Sequence, residues 1–439
     1  MKNNRWAIAV AGTVAMICLG TVYSWSSFTQ PLIASFGWSN TTTTWTFALA
    51  IFFLGVGAVI GGRWQDRVGP RPVAITGVVL WGVGNILAGL GTAHLGAWWI
   101  YLSYGLIGGL GLGLGYITPV AAVTKWFPDK RGFASGMVVM GFGLGAFIYN
   151  NLLKAVPAFA AAAKQASAVL ASRSGGGTRL TMGADHVDTL MHVFFVSGLV
   201  YAVVGGLCAA LIRNPPATFA PPSGAAARDK GPDFTPADAL RTPQFYALWF
   251  MLFLNVTAGI LFISNAVPIM RELTGAGPAT ALAIYGFIAV FNGLGRFFWG
   301  AISDHIGRKW AYALLYVIQA VIFFIVPGIH SLALVATLFA IVLLCYGGGF
   351  GTMPSFTADY FGTTYMGLIY GNILLAWGVA GIVGPIFVSV VKDVTGSFHG
   401  ALPVIGVMLA LATLLPIITR PPNQEARHRR QVPLGANVH

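Results

Sequence analysis

The sequence predicts an all-α membrane protein, with twelve transmembrane helices in two six-helix, pseudo-symmetric bundles. Three observations lead there. Of 439 residues, 56% are hydrophobic and only 8% charged, whereas about a quarter of a soluble domain is charged. The charges cluster in short patches between apolar runs long enough to cross a bilayer. The patches also repeat: GRWQDRVGPR (Gly62 to Arg71) and GAISDHIGRK (Gly300 to Lys309) share the pattern G-x-x-x-D-x-x-G-x-[RK].

Taken in order, the spans start near Trp6, Thr43, Val73, Ala97, Phe133, Asp188, Phe245, Pro278, Trp310, Leu332, Met366 and Phe398. The first follows MKNNR and is too long for a signal-peptide core, so it is expected to remain as a span. The second and eighth end in the repeated charged pattern. Pro119 of the fourth recurs as Pro354 of the tenth, and Gly132 and Gly136 of the fifth as Gly367 and Gly371 of the eleventh, all at one offset. The halves are expected at 1–212 and 244–419. Between them, 213–243 contains NPPATFAPPSGAAARDKGPDFTPADAL, whose Pro, Ala and charge predict a flexible linker; 420–439 is a basic tail.

A net charge of +13 does not imply a nucleic-acid partner here, because it is topological. Arg63, Arg67, Arg71, Lys125, Lys130, Arg131, Arg308 and Lys309 all fall on the side of the two termini. The opposite side has only Lys154, Lys164, Arg173, Arg179, Arg271 and Lys392. Positive charge gathers on the cytoplasmic side of membrane proteins, so both termini are expected there, with the chain in a cell membrane, bacterial inner membrane by preference. Cys18, Cys208 and Cys345 lie inside spans without a CxxC, and the histidines lack metal-ligand spacing, so neither a metal nor another cofactor is expected. GGLGLGLGY (Gly108 to Tyr116) imitates a nucleotide loop, but it lies in an apolar helix with no preceding strand. No Ser-His-Asp set converges, and an enzyme is not expected.

The chemistry is concentrated in FNGLGRFFWGAISDHIGRK (Phe291 to Lys309). Arg296 precedes Asp304 by eight residues, about 12 Å along a helix, which is deep within a core ~30 Å thick. A helical side chain leans toward its own N-terminus, here away from the nearer headgroups. A charge at that depth costs at least ~2.5–3.5 kcal/mol unless it is partnered, yet no Asp or Glu falls inside a predicted span. Arginine's planar fork suits a carboxylate. Arg296 is therefore read as the site of a small organic anion, with Asn292 one turn earlier and Gly293 and Gly300 keeping that face open. With one buried cation, a dianion would leave a carboxylate unpaired, so a monocarboxylate fits better. Tyr116, Tyr346 and Trp377 fall at similar depth and Tyr23 lies on the first span; all four are candidate walls.

The repeated charged loops resemble the signature of the major facilitator superfamily. YSWSSFTQPLIASFGWS (Tyr23 to Ser39) and WFPDKRGFASG (Trp126 to Gly136) resemble its monocarboxylate transporter and oxalate/formate antiporter branch. That resemblance implies substrate held between two halves that rock in alternating access. It implies a carboxylate-binding arginine at Arg296 and site tyrosines at Tyr23 and Tyr116. The loops themselves, each a carboxylate at a helix end followed by a glycine turn and a cation, can cross-link neighbouring helix ends in one conformation and release them in another; Asp66, Arg67, Arg71, Asp304 and Arg308 are the candidate gate. Animal members have an Asp where this chain has Asn292, and oxalate-handling members have a lysine in the eleventh span, where this chain has none before Lys392. The expected function is proton-linked transport of a lactate-like monocarboxylate by a monomeric unit. The alternatives are anion exchange of the oxalate/formate type and a non-transporting anion receptor.

Overall fold

The computed structural model describes residues 4–174, 181–219, 233–395 and 398–422. All regular elements among them are helical, and eleven helices there are long and apolar enough to cross a membrane. We number these eleven, and the shorter apolar helix that follows them, in chain order. They are α1 (Arg5–Phe36), α2 (Asn40–Val68), α3 (Pro70–Leu95), α4 (Ala97–Trp126), α5 (Arg131–Ala155) and α6 (Ala184–Ala209); then α7 (Pro243–Thr274), α8 (Thr280–Ile306), α9 (Arg308–Gly328), α10 (Leu332–Phe361), α11 (Met366–Thr395) and α12 (Phe398–Ala412).

The twelfth expected span differs from the rest. Its helix stops at Ala412 and resumes as Leu414–Ile418. Pro416 explains the break: it has no N–H for the Ala412 carbonyl, and its ring crowds that carbonyl. A second difference lies between α5 and α6, outside the expected spans. Residues Pro157–Ser174 form a helix, in keeping with the alanine-rich run at its centre. Residues 220–232 of the expected linker, including Arg228 and Lys230, lie outside the described residues. So does the tail from 423, with Arg427, Arg429 and Arg430. The same holds for Lys2, Arg179 and the side chains of Arg173 and Lys392.

Local chemistry sets the ends of the helices. Ser39 and Thr242 cap α2 and α7 by accepting from Thr42 N and Phe245 N. The glycines of the two repeated loops, Gly69 and Gly307, stand at φ +88° and +89°, a region that a Cβ disfavours. Each turn lets the chain reverse at once into Pro70 or Arg308.

The two bundles meet along two long crossings, α2 against α11 and α5 against α8. Backbones touch there. A Cβ on Gly62 would strike the Gly367 carbonyl, one on Gly132 the Gly300 carbonyl, and one on Gly136 the Arg296 carbonyl. Such close approach lets helices pack without a water-driven hydrophobic force. It also corrects one expectation. Gly293 and Gly300 do not keep a face open: Leu144 and Gly143 cover the first, Gly132 and Gly136 the second.

Candidate functional site

Arg296 is 0% exposed. It does not reach for the headgroups. Among the described residues no hydrogen-bond partner meets its Nε, Nη1 or Nη2, and it takes part in no ion pair. Aromatic rings attend it instead, its Cζ lying 4.7 Å from the Phe350 centroid and 5.5 Å from that of Phe142. A Cβ on Gly143 would stand 3.1 Å from Nε, so only a glycine leaves that flank free.

The sequence-predicted walls gather round this group. Tyr116 is fully buried, with its ring 5.2 Å from Phe142 and 5.5 Å from Trp377. Tyr23 lies 6.2 Å from Trp377 and 5.4 Å from Phe142. It occupies a 3-10 turn, Thr21–Trp25, that interrupts α1, a local tightening of the kind often found at hinges. Tyr346 is buried on α10, its ring 5.5 Å from Phe350. The hydroxyls of Tyr23, Tyr116 and Tyr346 are close enough to Arg296 to interact electrostatically, though none meets hydrogen-bond geometry with it. Those of Tyr23 and Tyr116 are themselves unpartnered among the described residues, as is Asn292 Oδ1. Buried polar atoms without partners are rare because each costs about 1–3 kcal/mol. Several of them gather around this one cation.

Three participants were not foreseen: Phe142, Phe350 and Tyr370. The Tyr370 hydroxyl is buried, without a hydrogen-bond partner among the described residues, and near both Tyr116 and Arg296. A signal existed for the first, since Phe142 and Trp377 stand at the offset that relates Pro119 to Pro354, and their rings meet at 5.5 Å. The pseudo-symmetry thus places one aromatic from each half at the centre. Tyr370 carries no comparable signal; in sequence it is a tyrosine in an apolar helix.

At the end of the molecule that bears the repeated loops, both predicted aspartates reach across to the opposite half. Asp66 of α2 accepts from Gly367 N (3.2 Å) and Leu368 N (2.8 Å) of α11. Asp304 of α8 accepts from Gly132 N (3.0 Å) and Phe133 N (2.8 Å) of α5. Each carboxylate caps a helix N-terminus, where unpaired N–H groups and the helix dipole favour negative charge. Arg308 joins the second cap. It pairs with Asp304 at 2.7 Å and with Asp359 at 2.8 Å, and Asp359 bonds Arg131 of the other half at 2.8 Å. Arg67 and Arg71 do not join. Both are exposed, with no ion pair among the described residues; Arg67 follows Asp66 by one residue, about 100° round the helix and away from the crossing.

The family described as the Major Facilitator Superfamily matches residues 10–385. The oxalate:formate antiporter of Oxalobacter formigenes is 30% identical over 387 residues, covering 88% of this chain and 84% of that protein. Apicoplast pyruvate carrier 1 of Toxoplasma gondii is 25% identical, covering 85% and 81%, and monocarboxylate transporter 13 of Bos taurus is 24% identical, covering 90% and 84%. Among solved structures, the Escherichia coli fucose:proton symporter FucP superposes with a TM-score of 0.67 at 15% identity, over 93% of this chain and 97% of that one. The proton:xylose symporter XylE gives 0.67 at 16% identity, over 93% and 94%. At such identities the likeness to FucP and XylE is one of fold.

Proposed function

The chain belongs to the Major Facilitator Superfamily, and from that premise we propose that it carries a small monocarboxylate, lactate-like in size, together with a proton by alternating access. The observation that carries this reading is Arg296: a buried guanidinium whose donors find no acceptor among the described residues. A carboxylate supplies the missing acceptors, two parallel hydrogen bonds to one planar fork. The aromatic walls enclose a short carbon chain, and the unpartnered hydroxyls of Tyr23, Tyr116 and Tyr370 serve whatever polar atom it bears.

In this reading the halves 1–212 and 244–419 rock about the central site. Asp66, Asp304 and Arg308 hold the cytoplasmic seam shut in one phase and release in the next. An anion entering alone would oppose a membrane potential at about 2.3 kcal/mol per 100 mV, and a proton carried with it removes that penalty.

Anion exchange is the second reading. It is favoured by the 30% identity to an oxalate:formate antiporter and by the absence, among the described residues, of a carboxylate paired with Arg296. A carrier that always reorients loaded never has to move that cation bare.

Uptake of labelled lactate, formate, acetate and oxalate into proteoliposomes, with and without a pH gradient, tests both. We expect lactate to be preferred over oxalate and its uptake to be accelerated by external acid. Equal affinity for oxalate would undo the single-cation reading. Uptake indifferent to pH but dependent on internal anion would favour exchange, and binding without flux would mean a receptor.

A further inference from the structure

Given the transport reading above, we propose that Phe350 and Phe142 substitute for the cargo anion when the carrier returns unloaded, so that these two rings decide whether it performs net uptake or exchange alone. A guanidinium that must cross a closed, water-poor intermediate needs negative potential from somewhere. No carboxylate pairs with Arg296 among the described residues. The face of an aromatic ring carries the negative lobe of its quadrupole, and a cation within about 6 Å of the centroid is attracted to it, more strongly when both are dry. Phe350 at 4.7 Å and Phe142 at 5.5 Å satisfy that condition, and both are 0% exposed.

The rings are held in place. Trp377 packs against both, 4.7 Å from Phe350 and 5.5 Å from Phe142, edge to face. Their provenance differs. Phe350 lies on α10, in the half that carries Arg296, whereas Phe142 lies on α5 in the opposite half. Phe350 therefore travels with the cation as the halves rock. Phe142 meets it only when they close, which is when water is excluded and the cation most needs cover. Together the rings lower the barrier for the unloaded carrier. When a carboxylate occupies the N–H edge of the fork, the pair is already neutral and the rings matter less.

Radiolabelled lactate and the full-length protein in proteoliposomes separate the two modes. Exchange is read as uptake into vesicles preloaded with unlabelled lactate; net flux is read as uptake into unloaded vesicles with acid outside. Phe350→Leu should slow net uptake about 30-fold, the equivalent of ~2 kcal/mol at 1.36 kcal/mol per tenfold. Its exchange, in which the cation never moves bare, should slow less, so that the ratio of net uptake to exchange falls about tenfold. Phe350→Trp, which keeps a π face, should restore net uptake. If Phe350→Leu does not yield folded protein, Phe142→Leu carries the same expectation. Net uptake and exchange falling in parallel would overturn the proposal, as would net uptake unchanged by either leucine. A parent protein that exchanges but performs no net uptake would overturn it too. A parent that moves lactate in neither mode would instead sink the transport reading on which it rests.

Discussion

A guanidinium presents a carboxylate with two parallel N–H donors in a fixed plane, whereas an ammonium presents a compact point charge. Arg296→Lys should therefore lower lactate flux by about tenfold to a hundredfold, the equivalent of a charge-assisted hydrogen bond at about 1.5–3 kcal/mol, while leaving the folded yield unchanged. Initial rates normalised to reconstituted protein check this; flux equal to the parent's would speak against a bidentate grip. Arg296 was legible because a charge in an apolar run violates the membrane rule so plainly that few explanations survive. Tyr23 and Tyr116 were legible with help from the resemblance. Tyr370 was not, because a tyrosine facing the site and a tyrosine packing two helices look alike until the fold brings Tyr370 toward Tyr116 and Arg296.

At the scale of elements, the caps on α5 and α11 are the contacts to disturb. Replacing Asp304 by Ala removes the carboxylate that accepts from Gly132 N and Phe133 N. A lost N-cap is worth ~1 kcal/mol, about fivefold in the balance between closed and open seams. Ser135 lies fully buried in the same crossing, its Oγ donating to the Gly351 carbonyl. Ser135→Cys, in a background freed of native cysteines, should react with a hydrophilic maleimide about fivefold faster once Asp304→Ala is added. No acceleration would mean that the cap does not restrain the seam. A further tie was invisible in sequence. Asp233, just beyond the undescribed part of the linker, accepts from Thr363 N (3.1 Å) and Thr364 N (2.7 Å) ahead of α11, and Phe234 buries its ring 5.5 Å from Phe361. Linker composition predicts flexibility; it does not tell where one end docks. The spans themselves were easy to read, since hydropathy over some twenty residues averages out local noise. The interruptions at Thr21–Trp25 and after Ala412 were not, because they depend on single residues.

For the whole molecule, the distribution of charge sets orientation. The basic loops should face the cytoplasm and the α7–α8 turn the outside. Gly277, with open space about it, tolerates a cysteine, and Arg241 is exposed at the opposite end of α7. In intact cells, an impermeant maleimide should label Gly277→Cys, and Arg241→Cys only after permeabilisation. The reverse pattern would invert the topology. The division into halves was legible as a repeat offset, a property of the whole chain that no single window displays. The diagonal pairing of α2 with α11 and of α5 with α8 was not, because it exists only after the two halves meet.

The two caps look equivalent in the repeat, yet they are wired differently. Asp66 grips backbone amides alone among its described hydrogen bonds, while Asp304 belongs to a chain of four charges through Arg308, Asp359 and Arg131. Dissolved ions screen partly exposed charge pairs far more than they weaken a carboxylate bound to peptide N–H groups. Raising ionic strength should thus loosen the α5–α8 seam before the α2–α11 seam. A carrier built from two copies of one unit would acquire in this way a preferred order of unzipping.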